Sequence, residues 1–400
     1  MSYRQVFASP GFRRFWLGFT ASAFGDAMSQ TALVWFVYSE TASPRAVGAL
    51  MFAYSAPILV GGLLAGPLLD RFDRRRAMLA DNLVRGAAFA LVPLLHWAGA
   101  LALWHVYLTA AIYGFLMMIS LAGGPALVPS LVRPEHLATA NALEILAFTL
   151  GRVVGPALAG ALLPTVGAPA ILALDAVTYL VFALMLARIE APPQPAARPA
   201  GTGGLGPALR LLTGHPVLLA TTVMFMTYNL GAGALGVWLP VLADRVLGGG
   251  PGLYGGLLAC MAIGEVAASL AAGRWRPPMP LGAAICLAQV VTGLALLGVL
   301  AAALAGTGIA GVGAALVVWG AATAPLTIWA QTLRMRIIPE PLRGRAFALL
   351  RTIMGALAAG LLLPLIGVPA MIGLSAVLAG APGAPGSHVR ALREAGKPSA

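Results

Sequence analysis

Long runs of apolar residues, separated by short polar segments, recur along the whole of this chain. Most runs reach about 20 residues, the length that a helix needs to cross the hydrocarbon core of a bilayer. The predicted membrane-spanning helices are 15–38, 47–69, 77–98, 101–122, 138–163, 168–189, 216–240, 253–273, 280–303, 306–330, 346–366 and 368–382. The pattern therefore predicts an all-α integral membrane protein with about twelve transmembrane helices. The last span is short, and Pro364, Gly367 and Pro369 blur its boundary with the preceding one.

A segment rich in Pro and Gly separates the first six spans from the last six. This segment, residues 191–215, is typical of a linker. We therefore predict an N-terminal six-helix bundle over residues 1–190 and a C-terminal six-helix bundle over residues 216–385. Residues 386–400 are predicted to form a cytoplasmic tail.

The two halves repeat a short pattern at equivalent points. Residues 132–143 read VRPEHLATANAL and residues 337–349 read IIPEPLRGRAFAL, so that the Pro-Glu-x-Leu pattern recurs 205 positions later. Pro10 and Pro216, which precede the first span of each half, are 206 positions apart. Near-equal offsets at distant points favour duplication of a six-helix unit, and hence two pseudo-symmetric bundles.

Composition supports a membrane protein and excludes a disordered protein, a secreted disulfide scaffold and a cytosolic enzyme. Hydrophobic residues make up 60% of the chain and charged residues 10%, and the mean hydropathy is +0.89. Soluble domains lie near 45–50% apolar and about 25% charged. Cys260 and Cys286 lie in apolar runs without CxxC spacing, and no GxxxxGK[ST] motif occurs, so we expect no disulfide, metal, cofactor or ATP hydrolysis. We do not expect an enzyme.

The positions of the positive charges predict the topology. Twenty of the 25 Lys and Arg residues fall in segments that are cytoplasmic if the N-terminus is inside, and only Arg45 and Arg245 fall outside. This bias follows the positive-inside rule, so both termini are predicted to be cytoplasmic. The net charge of +12 then requires no nucleic-acid partner. The dominance of Arg over Lys suggests a high-GC bacterial genome, and hence a multi-pass protein of the bacterial inner membrane.

The loop after the second span carries a distinctive motif, GPLLDRFDRRR. An ordinary positive-inside loop would explain its arginines but not the order of its Gly, Asp and Arg residues. The motif resembles G-x-L-x-D-R-x-G-R-R, the first signature of the major facilitator superfamily, with Asp73 where the family usually has Gly. This resemblance implies a cytoplasmic gate latch between the halves, formed by Gly66, Asp70, Arg71, Arg74 and Arg75. The matching loop after span eight has Ala272 where Asp70 would stand.

A second motif, GRVVGPALAG, lies in the fifth span. Small residues four positions apart permit close helix packing, and Pro bends a helix by removing a hydrogen bond. That packing role alone would account for the motif, which comprises Gly151, Gly155, Pro156 and Gly160. It also resembles the family's antiporter signature, with Ala159 replacing one Gly, and this resemblance favours export.

The resemblance covers roughly residues 10–366, and residues 125–143 and 342–346 are similar to those of bacterial drug and siderophore exporters. It implies a monomeric secondary transporter that exports a small amphipathic molecule by proton antiport and alternating access. Its partners would be the substrate, protons and the lipid bilayer. Open alternatives are an uptake permease for a small nutrient and, from another class, an integral-membrane enzyme or a channel.

Charges inside the membrane are costly, so each one suggests a function. Asp26, Arg152 and Asp175 lie at a similar depth, about 20 Å from the inner face at the rise of an α-helix. Asp26 is our first candidate for the proton carrier. Residues 108–118 on helix four lack the arginine that is usual in the family, so Arg152 is the nearest substitute for it. Asp26 would pair with Arg152 in one conformation and leave it in another. Glu265 is the second candidate. Purely structural ion pairs, Asp26 with Arg152 and Glu265 with Arg351, are the open alternatives.

The other polar and aromatic residues in the spans are interpreted as scaffold residues, substrate-stacking candidates or residues at the membrane interface. Helix six is peripheral in the family, so Asp175 is interpreted as a scaffold residue. Trp319 and Trp329 on span ten are candidates for stacking on substrate, because helix ten lines the cavity in the family. Residues near span ends are predicted to lie at the membrane interface, namely the acidic or basic Asp81, Arg85 and Glu144 and the tryptophans Trp16, Trp35, Trp104 and Trp238.

Overall fold

The computed structural model describes residues 3–190, 206–272, 277–339 and 368–395, and the regular structure in these ranges is helical. The chain divides into two compact units, one formed by Met1–Ala42 with Ala53–Thr202 and the other by Ser43–Phe52 with Gly203–Ala400. The span predicted at 346–366, the arginines 274, 276, 343, 345 and 351, and most of the linker lie outside the described residues.

The first half of the chain contains α1 to α6. Their bounds are Tyr3–Phe7 (α1), Pro10–Thr41 (α2), Pro44–Arg71 (α3), Arg74–Trp97 (α4), Leu103–Leu127 (α5) and Leu137–Ala187 (α6). The Ser9 side chain caps α2 by accepting a hydrogen bond from the Phe12 amide at 3.3 Å. The side chain of Asp73 caps α4 in the same way, accepting from the Arg76 amide at 2.9 Å. The residue that departs from the family signature thus starts a helix.

Helix α6 contains both the fifth and the sixth predicted spans. It bends at Gly167, whose φ of 74° and ψ of 166° are not helical. Glycine tolerates this φ because it has no Cβ, and Pro164 and Pro169 on either side cannot complete the helical hydrogen bonds. The bend therefore separates two helical segments, 137–166 and 168–187.

The second half of the chain contains α7 to α14. Their bounds are Gly206–Gly214 (α7), Pro216–Val241 (α8), Gly250–Ala272 (α9), Leu281–Leu304 (α10), Gly308–Ile337 (α11), Val368–Gly380 (α12), Gly383–His388 (α13) and Arg390–Glu394 (α14). A π-helical turn, Leu242–Val246, extends α8. Except for 346–366, each predicted span falls on a described helix. Nine stretches within the described ranges are long and apolar enough to cross a membrane, and one of them, Thr139–Ala187, holds two predicted spans. Helix α2, which covers the first predicted span, is not among them.

Close contact between α2 and α6 organises the first unit. A Cβ on Gly151 would lie 2.7 Å from the Ala23 carbonyl oxygen, and one on Gly155 would lie 2.6 Å from the Ala27 Cβ. Both distances are shorter than van der Waals contact, so only glycine allows the two backbones to approach this closely. The small residues of the antiporter-like motif thus bring α6 against the part of α2 that carries Asp26. Gly160, in the same motif, is buried.

Aromatic side chains fill the core beside this contact. Phe15 stacks on Phe19 with ring centroids 5.6 Å apart, and Phe182 of α6 meets both rings edge-on at 6.0 and 6.2 Å. Such offset and edge-to-face arrangements are favourable for aromatic pairs. The cluster therefore packs the N-terminal end of α2 against the C-terminal end of α6.

In the second unit, glycines again mark the closest helix pairs. A Cβ on Gly264 of α9 would overlap the Val317 carbonyl oxygen of α11, and one on Gly320 would overlap the Met261 carbonyl oxygen. Trp238, which we expected at the membrane interface, is instead completely buried. Its indole Nε1 donates to Ser375 Oγ at 3.1 Å, and this satisfied polar group allows the large ring to pack inside.

Candidate functional site

A cavity of about 360 Å³ lies within the first unit. Its wall combines aromatic and apolar side chains with a charged and hydroxylated region. The charged and polar lining residues are Ser22, Asp26, Gln30, Tyr54, Arg85, Tyr113, Ser120 and Arg152. A mostly apolar pocket with a few convergent polar groups is the usual form of a small-molecule site.

Arg85, which lines this wall, forms a buried ion pair with Asp81, one turn earlier on α4. Arg85 Nε donates to Asp81 Oδ1 at 2.8 Å, and Nη2 donates to Oδ2 at 2.6 Å. The side chain of Arg85 is 2% exposed and that of Asp81 is 0% exposed. Ser120 of α5 accepts from Arg85 at 2.8 Å and donates to Asp81, so both charges are also hydrogen-bonded.

The prediction that Asp81 and Arg85 lie at the interface is therefore wrong. Their position in about the first two turns of the predicted span 77–98 indicates an interfacial site. The structure shows that this face of α4 turns into the bundle, where the two residues neutralise each other. Arg85 also lies over the ring of Tyr179, with 4.7 Å between its guanidinium carbon and the ring centroid, which is a favourable cation–π distance.

Asp26 of α2 lies at the edge of this pair and faces the cavity. Its side chain is 24% exposed, and its Oδ1 lies 3.7 Å from Arg85 Nη1. Tyr179 of α6 donates a hydrogen bond to the same oxygen. Asp26 thus forms an ion pair with Arg85, which the sequence analysis did not predict. Arg152 lines the same cavity from α6.

Asp175 of α6 is a second carboxyl group that packs against α2, at Gly25. It is completely buried, and its Oδ1 accepts a hydrogen bond from Thr178 at 2.9 Å. Its Oδ2 has no hydrogen-bond partner. Sequence reasoning had interpreted Asp175 as scaffold because its helix was expected to be peripheral, yet Asp175 packs beside the candidate site.

Glu144, near the start of α6, is also deeper than expected. It is 8% exposed, and its carboxylate lies where a Cβ on Gly124 of α5 would stand. The prediction of an interfacial position is therefore wrong for this residue as well. Gly124 leaves room for the carboxylate because it has no side chain. The sequence of α6 alone does not show this contact with α5.

In the second unit, the candidate tryptophans lie on α11. Trp319 stacks on Tyr228 with ring centroids 6.1 Å apart and an interplanar angle of 17°. Tyr228 donates to Thr323 at 3.2 Å, while the buried Nε1 of Trp319 has no hydrogen-bond partner. Trp329 is 8% exposed. Glu265 on α9 is half-buried, and its predicted partner Arg351 lies outside the described residues.

The gate motif surrounds the short turn between α3 and α4. Arg75 donates from Nη1 to the Ile189 carbonyl oxygen and, at 3.5 Å, to that of Ala187, and so joins the start of α4 to the end of α6. Arg71 lies 6.0 Å from the ring centroid of Phe72. The packing of Gly66 and the side chain of Asp70 lie outside what the structure describes. The latch therefore stays a prediction.

The comparison with known families decides the identity of the fold. A family profile described as "transmembrane secretion effector" matches residues 4–381, nearly the whole chain. The chain belongs to the major facilitator superfamily. It is a transporter and not an enzyme, and its relatives include efflux proteins.

The curated relatives of this transporter are bacterial. It is 31% identical over 296 residues to the MFS-type transporter y4rN of Sinorhizobium fredii, covering 71% of this chain and 73% of the relative. It is 29% identical to the enterobactin exporter EntS of Shigella boydii, covering 59% of this chain and 57% of EntS. It is 28% identical to the multidrug efflux pump Tap of Mycobacterium bovis, covering 52% of each. The transporter thus spans little more than half the length of the two named exporters.

Solved structures support the fold at low sequence identity. A bacterial homologue of the human lysosomal transporter Spinster matches with a TM-score of 0.76 and 13% identity over 100% of both chains. A D-xylose–proton symporter matches with a TM-score of 0.72 and 15% identity, also over 100% of both chains. The transporter is therefore a multi-pass membrane protein with the superfamily fold.

Sequence reasoning missed Arg85, Tyr179 and Ser120 as parts of the candidate site. One signal was present, because Asp81 and Arg85 are four residues apart, the spacing at which opposite charges meet on a helix. Nothing in the spacing indicated that Tyr179 and Ser120, on other helices, would complete the network.

Proposed function

We propose that this transporter exports a small amphipathic molecule across the bacterial inner membrane in exchange for protons. The observation that carries the proposal is the cavity in the first unit, where Asp26 faces a largely apolar space and shares Arg85 with Asp81. An apolar wall suits an amphipathic substrate, and a membrane carboxylate suits proton transfer. The relatives named as an enterobactin exporter and a multidrug efflux pump support the outward direction.

The geometry around Asp26 gives a physical route to coupling. Arg85 is bound to Asp81 by two short hydrogen bonds but lies 3.7 Å from Asp26, so its contact with Asp26 is the weaker one. A small shift of α2 relative to α4 would lengthen that contact while leaving the Asp81 pair intact. An ionised carboxylate that loses its cation inside the membrane is costly. Asp26 would therefore take up a proton in the conformation in which the contact is broken.

Alternating access would place the remaining candidates in supporting roles. Asp70, Arg71, Arg74 and Arg75 would close the cytoplasmic side as a latch. Trp319 and Trp329 would offer aromatic faces to the substrate from the second unit. Glu265 is the second candidate for the proton carrier.

The test is transport into inside-out vesicles with an acidic interior, using ethidium and enterobactin as separate probes. We expect the wild-type transporter to concentrate at least one probe, and collapse of the proton gradient to abolish this accumulation. Asp26→Asn should abolish uphill accumulation but retain downhill exchange, now independent of pH, because the amide imitates the protonated acid. Asp244→Asn, at an exposed acid in the turn after α8, is the matched control and should transport normally.

Two results would contradict the proposal. If wild-type vesicles accumulate neither probe under an inward-acid gradient, export of these classes is wrong. If Asp26→Asn still concentrates the probe against its gradient, Asp26 is structural, and Glu265→Gln becomes the next variant to measure.

A further inference from the structure

The buried network of the first unit holds more carboxyl groups than its guanidinium can neutralise. Asp81 takes the bidentate pair with Arg85, at 2.6 and 2.8 Å. Asp26 has the longer contact to Arg85 at 3.7 Å, a hydrogen bond from Tyr179, and partial access to the cavity. Within the described ranges, no cation lies within 4.0 Å of Asp175, the third carboxyl group.

The surroundings of Asp175 disfavour a negative charge. The residue is completely buried, and Thr178 donates a hydrogen bond to its Oδ1 at 2.9 Å. Its Oδ2 lacks a partner, and so does the hydroxyl of Ser29, which lies beside it on α2. An isolated ionised carboxylate in such a place is strongly destabilised, whereas a protonated one can donate to a nearby hydroxyl. The titratable and charged groups that act on it are Asp26 (α2), Arg85 (α4), Tyr113 (α5) and Tyr179 (α6).

A glycine brings Asp175 close to the backbone that carries Asp26. The position of a Cβ on Gly25 is occupied by Asp175 Oδ1, and Thr178 Oγ1 lies 2.5 Å from it. Gly25 directly precedes Asp26, so the Asp175 carboxyl group packs against the α2 backbone next to Asp26. Tyr179, one turn after Asp175 on α6, donates to Asp26 from the same helix. Asp26, which follows Gly25 and lines the cavity, is the acid through which Asp175 would reach the cavity.

We propose that Asp175 is a second proton-binding residue of this transporter, which exchanges its proton with the cavity by way of Asp26. In the transfer, the O–H bond of the Asp26 carboxyl breaks and an O–H bond forms on the Asp175 carboxylate. Asp26 is left ionised beside Arg85, and Asp175 is left neutral in its dry site, so that the charge of the pair is unchanged. The inference rests on the proposed proton coupling and deepens it by adding a residue that stores the proton.

The test is infrared difference spectroscopy of the purified transporter in lipid, recorded between acidic and alkaline buffer. Protonated carboxyl groups have a C=O stretch that is separate from the bands of carboxylates. We expect wild-type protein to keep a protonated-carboxyl band at neutral pH, and Asp175→Asn to lose that component. Asp244→Asn, which removes an exposed acid, should leave the band unchanged. In Asp26→Asn the Asp175 component should persist, but its shift on transfer to D2O should be slower.

A second variant guards against misfolding of Asp175→Asn. Thr178→Val keeps the carboxyl group but removes the hydrogen bond to its Oδ1, so the band should move to higher frequency with the same amplitude. A band that is unaltered in both Asp175→Asn and Thr178→Val would overturn the proposal, because Asp175 would then be ionised at neutral pH. Equal D2O exchange in wild type and Asp26→Asn would overturn the route through Asp26. The infrared test needs no transported molecule. It can therefore refute the role of Asp175 while the vesicle test supports export, and the vesicle test can refute export while the infrared test supports Asp175.

Discussion

Replacing Asp81 by Asn tests whether the ion pair of α4 is as dry as its geometry indicates. The change keeps the size of the side chain and removes one charge, leaving the Arg85 guanidinium with Asp26 as its remaining carboxylate, at 3.7 Å. Arg85 is 2% exposed, so water cannot take over the lost contacts. We therefore expect a loss of stability, because only the longer Asp26 contact then offsets the buried charge, and because the amide accepts only one of the two Arg85 hydrogen bonds.

The magnitude follows from burial, and the chain supplies its own control. Removing one partner of a buried ion pair typically costs about 3–5 kcal/mol. Arg390 and Glu394 of α14 have the same spacing of four residues, but their side chains are 84% and 40% exposed. Exposed pairs at this spacing contribute about 0.2–0.5 kcal/mol. Glu394→Gln should therefore cost roughly a tenth of the free energy that Asp81→Asn costs.

The assay is reversible unfolding in mixed lipid–detergent micelles, followed by far-UV circular dichroism as the denaturing detergent is increased. Adding Arg85→Gln to Asp81→Asn should recover most of the lost free energy of unfolding, because the buried charge is then gone. Equal costs for Asp81→Asn and Glu394→Gln would refute the reasoning. They would show that water or lipid headgroups reach the α4 pair and solvate Arg85.

Two further predictions concern packing and topology. Gly151→Ala should destabilise the transporter by about 1–3 kcal/mol in thermal unfolding, because its Cβ would lie 2.7 Å from the backbone oxygen of Ala23. Gly256→Ala, where no atom lies within 4 Å of the new Cβ, should be neutral or stabilising by up to about 1 kcal/mol, and equal losses would contradict the close α2–α6 contact. In a background without the native cysteines, Cys introduced at Ala200 or Ser387 should react only from the cytoplasmic side and Cys at Ala100 only from the outer side. Labelling of Ser387→Cys from outside would mean that the last span does not cross.

Much of the architecture is a property of the sequence alone. Whether a segment is long and apolar enough to span lipid depends on consecutive residues, so the predicted spans fall on helices wherever the structure describes them. Local signals were also reliable at Gly151 and Gly155, because small residues four apart predict close packing whichever helix the partner is. The gate and antiporter motifs indicated the superfamily, which the family comparison confirms.

Asp26 and Arg152 were candidates from the sequence and both line the cavity, but only the tertiary structure placed Asp81 and Arg85 beside them. Asp81, Arg85, Glu144 and Trp238 were expected near the membrane interface from their positions along their helices, and all four are buried. The sequence gives depth along a helix axis, but burial also depends on how the helix is rotated and on the side chains of its neighbours. Arg85 therefore belongs to Asp26 and Asp81 because α2, α4 and α6 meet at glycine contacts. That packing joins residues from 39 to 153 positions apart, and no local pattern contains it.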